Sequence, residues 1–422
     1  IISRFPNPQL CHLQNNRGRA QKLVANIFFN KLRNITATMS DIVTVIAPVN
    51  IAVIKYWGKR DEELILPLND SVSATLDTSV MCAKTSVCAR SSFAEDEIWL
   101  NKEKVSFSKR LQNCLREIKA RAAAEKTVDE AFLERKIHVC SENNFPTAAG
   151  LASSAAGYAC FVSALAKLYK VKSDVSSIAR LGSGSACRSV YGGFVRWHAG
   201  TNPDGSDSVA TQIADSKHWP EMRALILVVG DSKKTTSSTG GMAISVKTSE
   251  LMKHRVQYCV PQRTEAIIDA IKNKDFPKFA EITMKDSNQF HAICQDSYPP
   301  FVYMNDTSHY IVSLIHKYNE ISGEVKVAYT FDAGSNACLY LLEKEVPKII
   351  SLIKYAFPSS NPDSFLTGLT SKEEVLSPEI LNICEPQAKD LIKYAIYTKV
   401  GEGPSEVSDG SHLLDDNGMP KA

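Results

Sequence analysis

The stretch KIHVCSENNFPTAAGLASSAAGYACFVSALAKLY constrains the fold more than any other part of the chain. Its opening, up to Asn143, alternates β-branched and polar residues as a strand does. Its closing part, AAGYACFVSALAKLY, is too long and too apolar for a loop and reads as a largely buried helix. The connection is made almost wholly of small residues. A strand that turns into a helix this tightly aims free backbone N–H groups and the positive end of the helix dipole at one point, which suits an anion. Gly150 and the neighbouring alanines would let phosphate oxygens approach the backbone, and Ser153 and Ser154 would offer hydroxyls to phosphate or to Mg²⁺. Close packing of the helix through Ala and Gly explains the same composition, and both readings stand. No G-x-x-x-x-G-K-[ST] loop occurs anywhere in the chain.

Composition narrows the class. The 422 residues are enough for two domains, and 44% hydrophobic with 23% charged is ordinary for a globular protein. A net charge of +3 gives no reason to expect nucleic acid or a membrane surface as partner, and no run approaches 18 apolar residues. The 11 cysteines are odd in number and contain no C-x-x-C, so buried thiols in a reducing compartment are expected rather than a disulfide framework or zinc. The first 40 residues hold Arg4, Arg17, Arg19, Lys22, Lys31 and Arg33 and no acid. Such a leader reads either as a mitochondrial or other organellar targeting segment or as a non-native upstream extension, disorder being one expectation for it.

Along the rest of the chain, IVTVIAPVNIAVIKYWGK is a strand region interrupted by Pro48, with further short strands at 64–80, 85–92 and 97–101. Leu111, Leu115 and Ile118 recur on one face and predict a helix over 109–124. RALILVVG is a buried strand, after which two long helical stretches (261–294 and 305–321) alternate with the strands EVKVAYTFDAG and NACLYLLEK. The expected division is a leader over 1–40, an N-terminal domain over 41–225, a C-terminal domain over 226–400, and a turn-rich, loosely held tail over 401–422.

Four further stretches carry polar groups in suggestive settings. RLGSGSACRSVYGG places Arg188 beside a Gly/Ser turn, where its planar fork would clamp a carboxylate or phosphate, or form an ordinary ion pair. In VIKYWGKR, Lys55 and Lys59 would share a side on a helix but diverge on a strand leading into a turn, and the stretch reads as a solvated basic turn by default or as an anion-binding rim. Asp332 ends an apolar strand, either as a turn former or as a carboxylate facing a cleft. KKTTSSTGGM reads as a flexible, hydroxyl-rich loop. No G-x-S-x-G elbow and no metal-ligand cluster is present, so the pattern leans to transfer or cleavage on a phosphate-bearing small molecule, with Mg²⁺ arriving on a nucleotide.

Together APVNIAVIKYWGKRDEELILPLNDSVSATL, SENNFPTAAGLASSAAGYA, RLGSGSACRSVYGGFVRW, SSTGGM and TFDAGSNA resemble the diphosphomevalonate (mevalonate diphosphate) decarboxylase family, over roughly residue 41 to the end. That family lies in the superfamily of galactokinase, homoserine kinase, mevalonate kinase and phosphomevalonate kinase. The resemblance implies an α+β fold in two domains, the first like domain 2 of ribosomal protein S5 and the second an α+β sandwich. It implies ATP-dependent decarboxylation of (R)-5-diphosphomevalonate to isopentenyl diphosphate, serving isoprenoid and sterol synthesis, with ATP and Mg²⁺, in a cytoplasmic homodimer. By position it implies that Asp332 is the catalytic base or positioner at the 3-hydroxyl, with Lys55 by the transferring phosphate, Arg188 on the substrate carboxylate and Ser154 on the nucleotide phosphates and Mg²⁺. It further implies ATP contacts at Asn143, Ala148, Gly150 and Ser153, and substrate contacts at Asn50, Tyr56, Trp57, Gly58, Lys59 and Arg110. The remaining implied substrate contacts are Ser183, Gly184, Ser185, Ala186, Cys187, Ser238 and Thr239. A phosphomevalonate-type kinase of the same superfamily is the alternative.

Overall fold

Three sheets organise the chain in a computed structural model that describes residues 42–145, 153–230 and 235–421. The expectations for the leader, for Ala148 and Gly150 and for the two lysines before Thr235 lie outside the described residues. In chain order the first half contributes β1 (Ile42–Pro48), β2 (Asn50–Ile54), β3 (Lys59–Asp61), β4 (Leu66–Pro67), β5 (Ser71–Thr75), β6 (Cys82–Arg90), β7 (Glu97–Leu100) and β8 (Glu103–Val105). Helix α1 (Lys109–Glu125), β9 (Lys136–Asn143), α2 (Ser153–Leu168), α3 (Ser176–Gly182), a 3₁₀ turn (Gly184–Val190), β10 (Phe194–Trp197) and β11 (Ala210–Ala214) follow. The second half adds β12 (Met222–Val228), α4 (Ser238–Thr248), α5 (Glu250–His254), a π-helical turn (Arg255–Cys259), α6 (Val260–Asn273), α7 (Phe276–Asp296) and α8 (Asp306–Ile321). It closes with β13 (Val327–Phe331), β14 (Ala337–Leu342), α9 (Val346–Ala356), β15 (Leu366–Gly368), β16 (Tyr394–Lys399) and β17 (Ser405–Glu406).

The first sheet runs β17-β1-β6-β9-β7-β8, the second β11-β10-β5-β2 and the third β13-β14-β12-β16-β15. This is the expected α+β class. Pairing is antiparallel except for β7 on β9 and β15 on β16. α1 starts where Ser108 accepts a hydrogen bond from the Leu111 N–H, and it buries Leu111, Cys114, Leu115, Ile118 and Ala122 along one stripe. α2 packs on β1 and β6 through small side chains, with Ala156, Ala159 and Ala164 all fully buried. The approach is close enough for the Cys160 thiol to reach the Val45 carbonyl at 3.0 Å. The predicted helical stretch 261–294 is two helices, broken where Lys274 takes a left-handed conformation (φ 55°) and Asp275 caps α7.

Two sequence expectations need correction. The stretch after Ser237 is helix α4 rather than a flexible loop: the Ser237 hydroxyl caps it by accepting from the Gly240 N–H at 3.1 Å. Gly241 is required there by packing, since a Cβ would stand 2.6 Å from the Tyr303 hydroxyl oxygen. The tail is also not loose. Its strand β17 extends the first sheet, and Leu414 is 1% exposed. No disulfide joins the ten described cysteines, and no described helix is long and apolar enough to cross a membrane.

Candidate active site

A cavity of about 640 Å³ gathers residues from both halves of the chain. The segment following β2 supplies Lys55, Tyr56 and Trp57, the start of β3 supplies Lys59, and the first turn of α1 supplies Arg110. The start of α2 brings Ser153 and Ser154, and the 3₁₀ turn with its approach brings Ser183, Gly184, Ser185 and Arg188. Ser238 and Thr239 enter from the start of α4, and Asp332 from the turn after β13.

The Lys55 ammonium donates to Asp332 Oδ1 at 2.6 Å and to the Ala52 carbonyl at 2.8 Å. Lys55 is almost wholly buried, whereas the Asp332 side chain keeps 33% of its surface, so the carboxylate remains reachable from the cavity. Asp332 is therefore an ion-paired carboxylate facing the cleft, which decides between the two readings of that strand end. Lys55, just past the end of β2, and Lys59, which opens β3, line the same cavity, because the intervening turn swings the chain back at Gly58 (φ +87°). The Lys59 ammonium is held by Glu62 at 2.6 Å.

Arg188 is 2% exposed and pairs with no carboxylate among the described residues, which removes the ordinary ion-pair reading. Its Nε donates to Asn50 Oδ1 at 3.2 Å and to Ser73 Oγ at 3.0 Å. Among the described residues its Nη1 is buried without a partner, and so is the Tyr56 hydroxyl in the same wall. Burial lowers the Arg188 pKa and raises that of Tyr56, so the guanidinium is a poorly hydrated cation beside a neutral phenol. Two desolvated donors in one cavity wall suit an anionic ligand, because leaving them unmatched costs free energy. Asn50 works mainly on the protein itself: its amide donates to the Ser185 carbonyl at 3.0 Å and to Ser189 Oγ at 2.7 Å, tying the 3₁₀ turn to β2.

Four expected site residues stand outside the cavity wall. Gly58 shapes the turn, since a Cβ there would meet Met252 Cε at 2.7 Å. Ala186 and Cys187 are fully buried, the latter behind the wall against Val195, Trp197 and Ala210, where burial pushes its thiol up to about 12. Asn143 ends β9, and its N–H donates to Asn101 Oδ1 at 3.3 Å. Conversely, Met242, Phe290 and Ala333 line the cavity although sequence reasoning passed over them. They read as plain core residues, and only proximity to Trp57 makes them an apolar floor.

The chain matches known proteins over nearly its whole described length. Residues 47–210 match the diphosphomevalonate decarboxylase-like N-terminal domain, and residues 224–407 match the mevalonate 5-diphosphate decarboxylase C-terminal domain. A diphosphomevalonate decarboxylase from Danio rerio is 51% identical over 387 residues, covering 90% of this chain and 97% of that protein. The chain belongs to the diphosphomevalonate decarboxylase family. Among solved members, mevalonate diphosphate decarboxylase from Trypanosoma brucei superposes with a TM-score of 0.82 at 39% identity, covering 89% of this chain and 100% of that one. Another, 29% identical with a TM-score of 0.68 over 87% of this chain and 98% of its own, was solved in complex with MVAPP, AMPPCP and magnesium. The cavity is lined by residues from both matched domains.

Among the described residues no group of His, Cys, Asp and Glu could hold a metal ion by itself. Hydroxyl oxygens at Ser153 and Ser154 fit a hard cation such as Mg²⁺ when nucleotide phosphates complete its shell.

Proposed function

We propose that this chain catalyses the ATP-dependent decarboxylation of (R)-5-diphosphomevalonate to isopentenyl diphosphate, CO₂, ADP and phosphate. The observation that carries the reading is the Lys55–Asp332 contact of 2.6 Å in a cavity also lined by Arg188, whose Nη1 has no partner among the described residues. Asp332 orients the substrate's tertiary 3-hydroxyl and accepts its proton as that oxygen attacks the terminal phosphorus of ATP, releasing ADP. Lys55 keeps positive charge beside the developing alkoxide and the transferring phosphoryl oxygens. Arg188 binds the substrate carboxylate through Nη1 while Asn50 and Ser73 hold its Nε. The carbon–oxygen bond to the new phosphate then breaks as the carboxylate leaves as CO₂. The electron pair of the broken carbon–carbon bond becomes the double bond of the product. Lys59, Arg110, Ser183 and Ser185 supply charge and hydroxyls for the diphosphate, and Ser153 and Ser154 face the nucleotide. Mg²⁺ bound with ATP would offset phosphate charge. The kinase alternative is not favoured, because relatives near half identity across nine-tenths of the chain are decarboxylases.

The test follows ADP, phosphate and CO₂ together from purified protein, ATP, Mg²⁺ and diphosphomevalonate. All three are expected in equal amounts, and ADP without CO₂ would return the kinase. Asp332→Ala is expected to lower kcat by about 100-fold or more while nucleotide binding survives. A fully active variant would remove Asp332 from the chemistry.

A further inference from the structure

Lys55 stands one residue past the end of β2, where the sheet no longer supplies partners to its peptide groups. A charged cluster from the helices of the second half supplies them instead. The Lys55 N–H donates to Asp286 Oδ1 at 2.8 Å. The Lys55 carbonyl accepts from Arg255 Nη2 at 3.1 Å and from Asn69 Nδ2 at 3.2 Å. Arg255 and Asp286 meet as a two-pronged pair, Nη1 to Oδ2 at 2.8 Å and Nη2 to Oδ1 at 2.9 Å, with both side chains fully buried. Arg263 adds a bond to Asp286 Oδ2 at 3.2 Å, and Gln289 Oε1 accepts from both arginines. Burial alone would raise the Asp286 carboxyl, but the Arg255 charge holds it below the ordinary carboxylate range, so the pair is ionised.

A buried ion pair contributes little net stability over apolar residues of the same volume, because desolvation offsets its attraction. This pair lines no part of the cavity, yet it bonds the two peptide groups on either side of one cavity residue. Arg255 itself opens a π-helical turn, a local irregularity that often accompanies functional positions. We propose that Arg255 and Asp286 are positioning residues for Lys55: by holding its N–H and its carbonyl they set the direction of its Cα–Cβ bond and so keep the ammonium on Asp332. The inference rests on the proposed role of Lys55 in the reaction.

The experiment measures kcat, KM and melting for wild type, Asp286→Asn, Arg255→Lys and Lys55→Met, and for each clamp variant combined with Lys55→Met. Arg255→Lys keeps the buried charge but loses the fork that reaches both Asp286 and the Lys55 carbonyl. Each clamp variant is expected to lower kcat about 10- to 100-fold with KM for both substrates held within about twofold. In the Lys55→Met background neither is expected to lower the residual kcat further, since positioning has nothing left to act on. The same fold-loss in both backgrounds, or wild-type kcat in Arg255→Lys, would overturn the proposal. Failure of both clamp variants to fold would assign the pair to stability and overturn it too. Wild-type kcat in Lys55→Met would overturn both the role of Lys55 and its clamp, whereas absence of CO₂ release by the wild type would instead overturn the decarboxylase reading.

Discussion

His291 shows how closely the residues around the site are bound to their surroundings. It sits in α7 at 7% exposure, near enough to Lys55 and Asp332 for both charges to act on it, and its Nε2 has no partner among the described residues. Burial first, then the Lys55 charge, push its imidazole from 6.5 down to about 3, against weaker upward pulls from the Phe331 backbone and Asp332 and a small downward one from His309. The unfolded chain therefore takes up a proton below 6.5 that the folded chain refuses until about 3, and stability falls as pH drops through that window. Asp286 acts in the same direction, its contribution being present above the unfolded carboxylate value and lost as pH falls through its lowered folded pKa. Melting followed from about pH 7 to about pH 4.5 is expected to decline less steeply in His291→Phe than in wild type. Parallel curves would remove His291 from the acid response. None of this was legible in the sequence, where His291 is one of nine histidines without a motif and Asp286 looks like a helix-surface acid.

At the scale of the element, the opening stretch resolves into two jobs done by the same small residues. α2 lies close enough to β1 and β6 for the Cys160 thiol to bond the Val45 and Ala83 carbonyls, at 3.0 and 3.3 Å, and that closeness leads the chain to Ser153 and Ser154 at the cavity wall. Ala159→Leu is expected to cost about 1–3 kcal/mol by forcing extra methylenes into the interface. The denaturant midpoint checks this, and an unshifted midpoint at unchanged slope would show room that the packing does not suggest. α1 was readable because its burial follows the spacing of its own side chains, and β12 because it is a short, nearly continuous apolar run, buried at every position. α4 was not, since Ser and Gly at its start read as a loop until the Ser237 cap and the Gly241 contact are seen together.

At the largest scale, residues 405–421 cover one edge of the first sheet. β17 pairs with β1, the Leu413 N–H donates to Ser86 Oγ at 2.8 Å, and the Gly418 carbonyl bonds the His138 ring at 2.8 Å. Leu414 completes a small apolar cluster with Ile42, Trp99 and Cys140. Deleting residues 405–422 removes that cover and bares the edge of β1, so the truncated chain is expected to lose about 2 kcal/mol or more and to scatter light on warming. Melting and scattering equal to the full chain would show the tail to be dispensable. By itself the sequence determined what depends on near neighbours: the strand–turn–helix unit, the amphipathic stripe of α1, the buried strands, and the ordered motifs that mark the family. Tertiary structure alone decided which of those motifs meet. Lys55 reaches Asp332 across 277 positions, and Arg255 reaches the Lys55 carbonyl across 200. Side-chain periodicity reports only which face of one element is apolar. It cannot say which charges will be stripped of water together, and that shared desolvation makes these groups a site.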